Sequence, residues 1–234
     1  MPVIDIELSE KLVMSCNILA QEGHGNLTLG HVTARKADQP YLHMKSHDFG
    51  LEEISPADII LIDLEGNQLE GAGRRHSEYP IHTEIYKMYP HINCVIHTHP
   101  FYSIVVGATE GTIKPISHEG SLFAGIPLFK ETSLLIRTQE LGRAVARCLD
   151  GRHAMLMRNH GVVVAAETIE AATVYAVLLE RAAKMQVTAS QVGPVQTSSS
   201  VESEGKGEQI FYSKNIYGFW NYFVRNLRKL QASG

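Results

Sequence analysis

The segment NCVIHTHP, residues 93–100, is the stretch from which the fold can be worked out. Residues 94–96 are apolar, and the segment ends at Pro100, which has no backbone N–H and therefore closes a strand. Because side chains alternate between the two faces of a strand, His97 and His99 point the same way. The segment predicts a buried strand over 93–98 that carries two imidazoles at its end.

Other strands and several helices are predicted on both sides of this segment. Apolar runs of strand length occur at 58–64, 154–157 and 162–165. Apolar side chains at helical spacing predict helices at 9–22, from Pro80, at 138–149 and from Thr168 to about 189. The mixture of short strands and helices predicts one α/β domain over residues 1–190.

Two further segments follow this predicted domain. Residues 191–207 are polar and rich in serine and glycine, which is typical of a mobile linker. Residues 208–234 contain the run IFYSKNIYGFWNYFV and are predicted to form an aromatic helical tail. A helix docked on the domain and a tail that closes over a site are two interpretations that the sequence leaves open.

The composition excludes several classes of protein. The 234 residues are 44% hydrophobic and 20% charged, as in an ordinary globular protein. The formal net charge of -4 lacks the basic surplus of a nucleic-acid binder. No apolar run approaches the roughly 18 residues of a membrane span. We therefore expect neither a nucleic-acid partner nor a membrane partner.

Histidine and cysteine are unequally used, with 12 histidines against 3 cysteines. Cys16, Cys94 and Cys148 lie far apart in apolar surroundings, which indicates reduced residues of a cytoplasmic protein. The first residues lack the basic and apolar regions of a secretory signal. Any metal site is therefore expected to use histidine and carboxylate rather than thiolate.

Two other residues join the histidine pair as candidate metal ligands. His160 precedes Gly161 in a tight connection between two predicted strands, and Glu78 directly precedes the predicted helix at Pro80. Three imidazoles and one carboxylate suit a catalytic Zn, Mn, Fe or Co ion. The alternative is structural: a turn histidine, and a carboxylate that stabilises a helix N-terminus.

A further histidine is a candidate acid or base. His118 lies in the glycine-containing stretch ISHEGSLFAG, residues 116–125, next to Glu119. Because imidazole titrates near neutral pH, His118 is a candidate for proton transfer.

An ordered set of motifs resembles the class II aldolase/adducin family over roughly residues 8–190. The set consists of Gly25-Asn26, Ser77-Glu78, His97-Thr98-His99 and His160-Gly161. The resemblance implies a three-layer αβα domain with a central, mainly antiparallel sheet. It also implies a homotetramer with sites at the subunit interfaces.

The resemblance implies a function for each matched position. A divalent metal would be bound by His97, His99 and His160, and Glu78 would be a further ligand or a catalytic acid or base. Manganese is favoured by the resemblance, and a histidine-rich site also accepts zinc. Adducin-type relatives without catalytic activity lack these histidines. Substrate binding would fall to Asn26, Lys45, His47, Arg75 and Ser77.

Departures from the family pattern concern the phosphate. Where sugar-phosphate members have a Ser-Gly or Thr-Gly pair, this chain has Lys45-Ser46-His47-Asp48, and an aspartate repels a phosphate dianion. Arg75 is a nearby cation of the kind that binds carboxylates. His118 falls where aldolases place a tyrosine that is supplied by the neighbouring subunit.

The resemblance and these departures imply a metal-dependent carbon–carbon lyase. The expected reaction is decarboxylation of a hydroxylated aromatic dicarboxylate, with 3-hydroxy-2-methylpyridine-4,5-dicarboxylate of vitamin B6 degradation as the expected substrate. One alternative is a class II aldolase that cleaves a sugar phosphate or related hydroxy-keto compound. The other is a non-enzymatic, adducin-like module.

Overall fold

A sheet of eight strands forms the centre of the molecule. In this computed structural model, which describes residues 2–233, the strands are β1 (His31–Ala34), β2 (Tyr41–Lys45), β3 (Ile59–Asp63), β4 (Gln68–Glu70), β5 (Cys94–Thr98), β6 (Leu128–Phe129), β7 (Ala154–Met157) and β8 (Val162–Ala166). Their order across the sheet is β4-β3-β2-β1-β5-β8-β7-β6. Neighbouring strands are antiparallel except β6 and β7, which are parallel.

Helices cover both faces of this sheet. They are α1 (Ile6–Leu19), α2 (Tyr79–Met88), α3 (Phe101–Gly107), α4 (His118–Leu122), α5 (Gln139–Leu149), α6 (Ile169–Val192), α7 (Ser200–Ile210) and α8 (Ser213–Ser233). Helices α2 and α5 pack together over one face, whereas α1, α3, α6 and α8 cover the other. The three-layer α/β architecture with a mainly antiparallel sheet is therefore confirmed.

Strand β5 lies at the middle of the sheet and is buried on both faces. Cys94 and Ile96 belong to the core beneath α1 and α6, whereas Val95 belongs to the core beneath α2 and α5. This alternation explains why residues 94–96 are all apolar. His97 is on the same face as Val95, so its imidazole lies in the α2 layer.

The helix starts follow local capping signals. Helices α5 and α6 begin directly after Thr138 and Thr168, close to their predicted starts. The two threonine hydroxyls accept hydrogen bonds from backbone amides of the first turn. Helix α1 begins earlier than predicted because the Asp5 carboxylate accepts a hydrogen bond from the Leu8 amide at 2.8 Å.

The segment predicted to be a linker is partly helical. Helix α6 continues to Val192, and α7 starts at Ser200. Ser199 and Glu202 form a reciprocal capping box, each side chain accepting from the backbone N–H of the other residue. This Ser-x-x-Glu signal offsets the serine and glycine content, so only residues 193–199 lack regular structure. The mobility of 191–207 stays a prediction.

The aromatic tail is docked on the domain. In α8, Ile216, Trp220 and Phe223 are buried in the same core as α1 and α6. Tyr217 and Tyr222 remain half exposed on the outer side of α8. Across residues 2–233, no helix has both the length and the apolar character that a membrane span requires.

Candidate metal centre

The two histidines of the central strand meet at its carboxyl end. The Nε2 atoms of His97 and His99 are 3.2 Å apart, and His97 is fully buried. His97 Nδ1 donates a hydrogen bond to the Val162 carbonyl at 2.9 Å, which leaves the Nε2 lone pair free. A ring fixed in this way is typical of a metal-binding histidine.

The β7–β8 hairpin brings a third imidazole to this point. Thr98 pairs with Val162 in the sheet, so the turn that precedes Val162 lies beside the end of β5. Asn159 adopts a left-handed conformation with φ of 54°, which asparagine tolerates, and it turns the chain before His160. A Cβ atom on Gly161 would lie 2.4 Å from the Thr98 carbonyl oxygen, so glycine is required for this close approach.

The carboxylate of Glu78 enters the same space from the start of α2. Its Oε1 atom accepts a hydrogen bond from the Ile136 amide at 2.7 Å. Oε1 is 3.6 Å from His160 Nε2, and Oε2 is 3.8 Å from His97 Nε2. The side chain is 7% exposed, so the carboxylate is held among imidazoles rather than in solvent.

These four side chains form a set of donors that fits one divalent ion. One ligand atom from each of Glu78, His97, His99 and His160 lies within 4.8 Å of all the others. Two nitrogens bound at about 2.1 Å to one ion are about 3 Å apart, which the His97–His99 distance matches. In the chain from 2 to 233, neither ring nitrogen of His160 has a hydrogen-bond partner. Buried ring nitrogens are nearly always paired, so this imidazole suits a metal ion as its partner.

The charge states also suit a metal site. Burial raises the pKa of Glu78, but His160, His97 and the Ile136 amide outweigh burial and lower the pKa to about 2. Burial and the neighbouring His160 lower the pKa of His99 to about 4. The pKa of His97 falls well below its usual value because of burial and the adjacent His99. Ionised carboxylate and neutral imidazole are the forms that bind metals.

A second group of histidines extends inward from this centre and was not singled out by the sequence. His31 on β1 is the cross-strand partner of His97, and their ring centroids are 4.9 Å apart. His31 Nδ1 and His82 Nε2 are 2.6 Å apart, and His82 Nδ1 is 2.7 Å from the Thr33 hydroxyl. Through these contacts with His31 and Thr33, His82 connects α2 to β1. His82 also lies one helical turn after Glu78. This i to i+4 spacing was the signal available in the sequence.

The other predicted site residues lie outside the four-residue cluster. His118 is exposed at the start of α4, and Ser77 is also exposed. Arg75 stacks over the Tyr79 ring at 3.8 Å and donates to the Gly66 carbonyl, so its guanidinium is already engaged. Asn26 makes no hydrogen bond to the cluster within the described chain.

His47 is connected to the second histidine group through His76. The ring centroids of His47 and His76 are 5.0 Å apart, and those of His76 and His31 are 4.4 Å apart. His76 is buried, and the sequence offered no periodic signal for it. A row of neighbouring imidazoles therefore runs from His97 through His31 and His76 to His47.

The curated relatives of this chain include enzymes of two kinds. It is 28% identical over 205 residues to 3,4-dihydroxyphthalate decarboxylase of Arthrobacter keyseri, with 82% of each chain covered. It is 26% identical over 204 residues to 5-methylthioribulose-1-phosphate/5-deoxyribulose-1-phosphate aldolase of Rhodospirillum rubrum, with 87% of this chain and 91% of the relative covered.

The fold and a family model agree with these similarities. L-fuculose 1-phosphate aldolase from Glaciozyma antarctica PI12 superposes with a TM-score of 0.84 at 20% identity, covering 100% of this chain and 95% of that one. The family model described as Class II Aldolase and Adducin N-terminal domain matches residues 10–187. Since this match covers most of the 234-residue chain, the chain belongs to the class II aldolase and adducin family.

Proposed function

We propose that this protein is a metal-dependent decarboxylase of a hydroxylated aromatic dicarboxylate. The convergence of one carboxylate and three imidazoles at the end of β5 is the observation that carries the metal dependence. Class II aldolases depend on a divalent metal, which supports the same assignment. The similarity to 3,4-dihydroxyphthalate decarboxylase favours the substrate class.

The ion would be held by His97, His99 and His160, with Glu78 as a fourth ligand or as an acid or base beside it. When bound, a divalent ion supplies Lewis acidity that stabilises negative charge developing on a substrate oxygen. Mn²⁺ is our proposed metal, and Zn²⁺ also suits this donor set. Val162 orients His97 through its carbonyl, and the Ile136 amide orients Glu78.

The reaction requires a proton at the ring carbon that carries the leaving carboxylate. Once this carbon is protonated, its bond to the carboxylate breaks, CO2 departs and the ring regains aromaticity. Burial raises the pKa of Glu78, but His160 and His97 outweigh burial and lower the pKa to about 2, which favours the ionised carboxylate. This favours His118 as the donor. His118 is exposed on α4, so a homotetramer in which another copy supplies it is part of the proposal.

The proposed substrate is 3-hydroxy-2-methylpyridine-4,5-dicarboxylate. Like 3,4-dihydroxyphthalate, it has a ring hydroxyl beside one of two adjacent carboxylates. A hydroxyl oxygen and the neighbouring carboxylate oxygen are suitable chelating groups for a divalent ion.

The second candidate function is aldol cleavage of a sugar phosphate. It is favoured by the 26% identity to the aldolase of Rhodospirillum rubrum. The same donor set would serve either reaction, since both break a carbon–carbon bond beside a stabilised oxyanion. A non-enzymatic module is the third candidate, and it requires no bound metal.

Metal content is the first test. The protein, purified without chelator and dialysed, is expected to contain about one divalent ion per chain by inductively coupled plasma mass spectrometry. Complete absence of metal, together with no uptake of added Mn²⁺ or Zn²⁺, would leave only the non-enzymatic module.

A substrate panel then separates the two enzyme functions. We expect CO2 release from 3-hydroxy-2-methylpyridine-4,5-dicarboxylate or 3,4-dihydroxyphthalate, its abolition by EDTA and its recovery with Mn²⁺. Formation of dihydroxyacetone phosphate from a sugar phosphate, without CO2 from either dicarboxylate, would overturn the decarboxylase proposal in favour of the aldolase.

A further inference from the structure

Arg75 connects the start of α2 to the turn between β3 and β4. Its guanidinium carbon lies 3.8 Å from the centroid of the Tyr79 ring, and its Nη1 donates a hydrogen bond to the Gly66 carbonyl. A cation at this distance from the face of an aromatic ring is attracted by the ring electrons. Tyr79 is the first residue of α2, and Gly66 lies in the β3–β4 turn. One guanidinium therefore holds two separate elements together.

Tyr79 also packs directly against Gly66. A Cβ atom on Gly66 would lie 2.0 Å from Cε2 of the Tyr79 ring, so only glycine leaves room for this contact. Gly66 has a φ of 84°, which glycine adopts without strain. The Tyr79 ring thus contacts the backbone of the β3–β4 turn as well as the Arg75 guanidinium.

The β3–β4 turn is fixed by hydrogen bonds of its own. The Asp63 carboxylate accepts from the Glu65 amide at 2.9 Å and from the Asn67 amide at 2.8 Å. The Glu65 carboxylate is 3.0 Å from Lys87 Nζ of α2, and it accepts from Gln139 Nε2 of α5 at 2.9 Å. Helix α2 and the start of α5 are therefore both attached to this turn.

Glu78 lies next to both attachments. It directly precedes Tyr79, and within the part of the chain that the structure describes its side chain makes no capping hydrogen bond to α2. Its Oε1 atom instead accepts from the amide of Ile136, which lies shortly before α5. The backbone that carries Glu78 and the amide that orients its carboxylate are thus both beside elements that the β3–β4 turn holds.

We propose that Arg75 and Tyr79 are positioning residues for Glu78. With Gly66, they hold the first turn of α2 against the β3–β4 turn and so keep the Glu78 carboxylate among the imidazoles of the candidate metal centre. The proposal rests on the metal dependence within the proposed function and not on the identity of the substrate. It gives Arg75 a role that differs from the predicted binding of substrate.

Zn²⁺ binding in the absence of substrate tests the proposal. The EDTA-treated and dialysed protein is titrated with Zn²⁺ in competition with a fluorescent chelator, as wild type, Arg75→Met, Glu78→Gln and the double variant. A carboxylate beside the imidazoles favours a bound cation whether it is a ligand or a neighbour, so Glu78→Gln should weaken binding about tenfold or more. Arg75→Met should weaken binding about tenfold when Glu78 is present, and by less than about twofold when Glu78 is already replaced.

Matched substitutions separate positioning from general packing. Tyr79→Leu should reproduce the loss caused by Arg75→Met, whereas Tyr79→Phe, which keeps the ring, should bind Zn²⁺ like the wild type. Arg181→Met removes another arginine that lies over an aromatic ring, 5.3 Å from the Phe223 centroid, and should leave the Zn²⁺ affinity unchanged. Circular dichroism checks that each variant is folded before it is titrated.

Equal losses for Arg75→Met in the two backgrounds, or no loss in either, would overturn the proposal. Normal Zn²⁺ binding by Glu78→Gln or by Tyr79→Leu would do the same. A substrate-binding role for Arg75 predicts no loss of Zn²⁺ affinity, because no substrate is present. If no dicarboxylate is decarboxylated but the Arg75→Met loss still depends on Glu78, the proposed reaction fails and the positioning role stands. CO2 release together with equal losses in the two backgrounds would remove only the positioning role.

Discussion

At the residue scale, His97 is the one of the four candidate ligands that lies within a strand of the sheet. It is fully buried, and its imidazole is oriented by the Val162 carbonyl. We expect His97→Ala to lose bound metal and activity together, with at least about a 100-fold fall in metal affinity. Metal content and CO2 release are measured on the same preparation.

The control for this substitution is His91→Ala, which removes an exposed histidine from the turn before β5. It should keep both metal and rate. Retention of wild-type occupancy by His97→Ala would show that His97 is not a ligand.

Substitution of Gly161 tests the candidate metal centre without removing any of its four ligands. A Cβ atom there would lie 2.4 Å from the Thr98 carbonyl and 2.7 Å from the His99 ring. Gly161→Ala should therefore displace the hairpin and lower metal affinity by about tenfold or more, by analogy with loss of an orienting group. The measurement is competition for Zn²⁺ with a fluorescent chelator.

The matched substitution is Gly218→Ala on α8, where nothing lies within 4 Å of the added methyl group. Its metal affinity should equal that of the wild type. Normal metal binding by Gly161→Ala would contradict the prediction. It would mean that the β7–β8 hairpin accommodates the methyl group without moving His160 or His99.

At the scale of elements, the attachment of α3 depends on one buried carboxylate. Glu180 of α6 accepts hydrogen bonds from the Tyr102 amide at 2.8 Å, the Ser103 amide at 2.9 Å and the Ser103 hydroxyl at 2.7 Å. These bonds hold the start of α3, directly after His99 and Pro100. Glu180→Gln replaces one acceptor by a donor and should lower the free energy of unfolding by about 1–3 kcal/mol.

Urea denaturation in the presence of EDTA gives this value without a contribution from metal. Glu167→Gln, which neutralises an exposed carboxylate before α6, should change stability by less than about 0.5 kcal/mol. Equal stabilities for the two variants would mean that α3 does not depend on the buried carboxylate.

Elements with local signals were predictable from the sequence. The apolar residues before His97 and the stop at Pro100 identified β5, and the alternation of side chains along a strand gave the shared direction of His97 and His99. Apolar side chains at helical spacing identified α5 and α6, which begin directly after Thr138 and Thr168. Helix α7 was missed because its capping box, which is also local, lies within a stretch of linker-like composition.

Features that depend on distant contacts were not predictable. His31 joins the site because β1 pairs with β5 in a register that places it opposite His97, and one sequence does not contain that register. Arg75 was chosen as a substrate ligand because of its charge and position. Its guanidinium packs over Tyr79 and donates a hydrogen bond to the carbonyl of Gly66, which lies in the turn between β3 and β4.

At the scale of the whole molecule, buried neutral histidines make stability depend on pH. Burial lowers the pKa of His24 to about 4 and that of His82 to about 3. The unfolded chain binds protons at these residues below about pH 6.5, whereas the folded chain does not. Their stabilising contribution is present above pH 6.5 and is lost as pH falls toward the folded pKa values, by about 1.4 kcal/mol per pH unit for each histidine.

Urea unfolding at pH 7.5, 6.5 and 5.5 with EDTA checks this dependence. His24→Gln should flatten the loss of stability below pH 6.5, whereas His91→Gln should leave the profile unchanged. A wild-type stability that is constant or rises over this range would contradict the neutral state of the buried histidines.

The position of β5 in the sheet has a consequence for how the protein is made. It pairs with β1, formed from earlier sequence, and with β8, formed from later sequence. Because Glu78 precedes β5 and His160 follows it, the four donors come together only after both long loops have closed, which are slow events. During biosynthesis, a nascent chain that has not yet extended past the β7–β8 hairpin therefore lacks a complete set of donors, and all four could bind the proposed ion only late in synthesis.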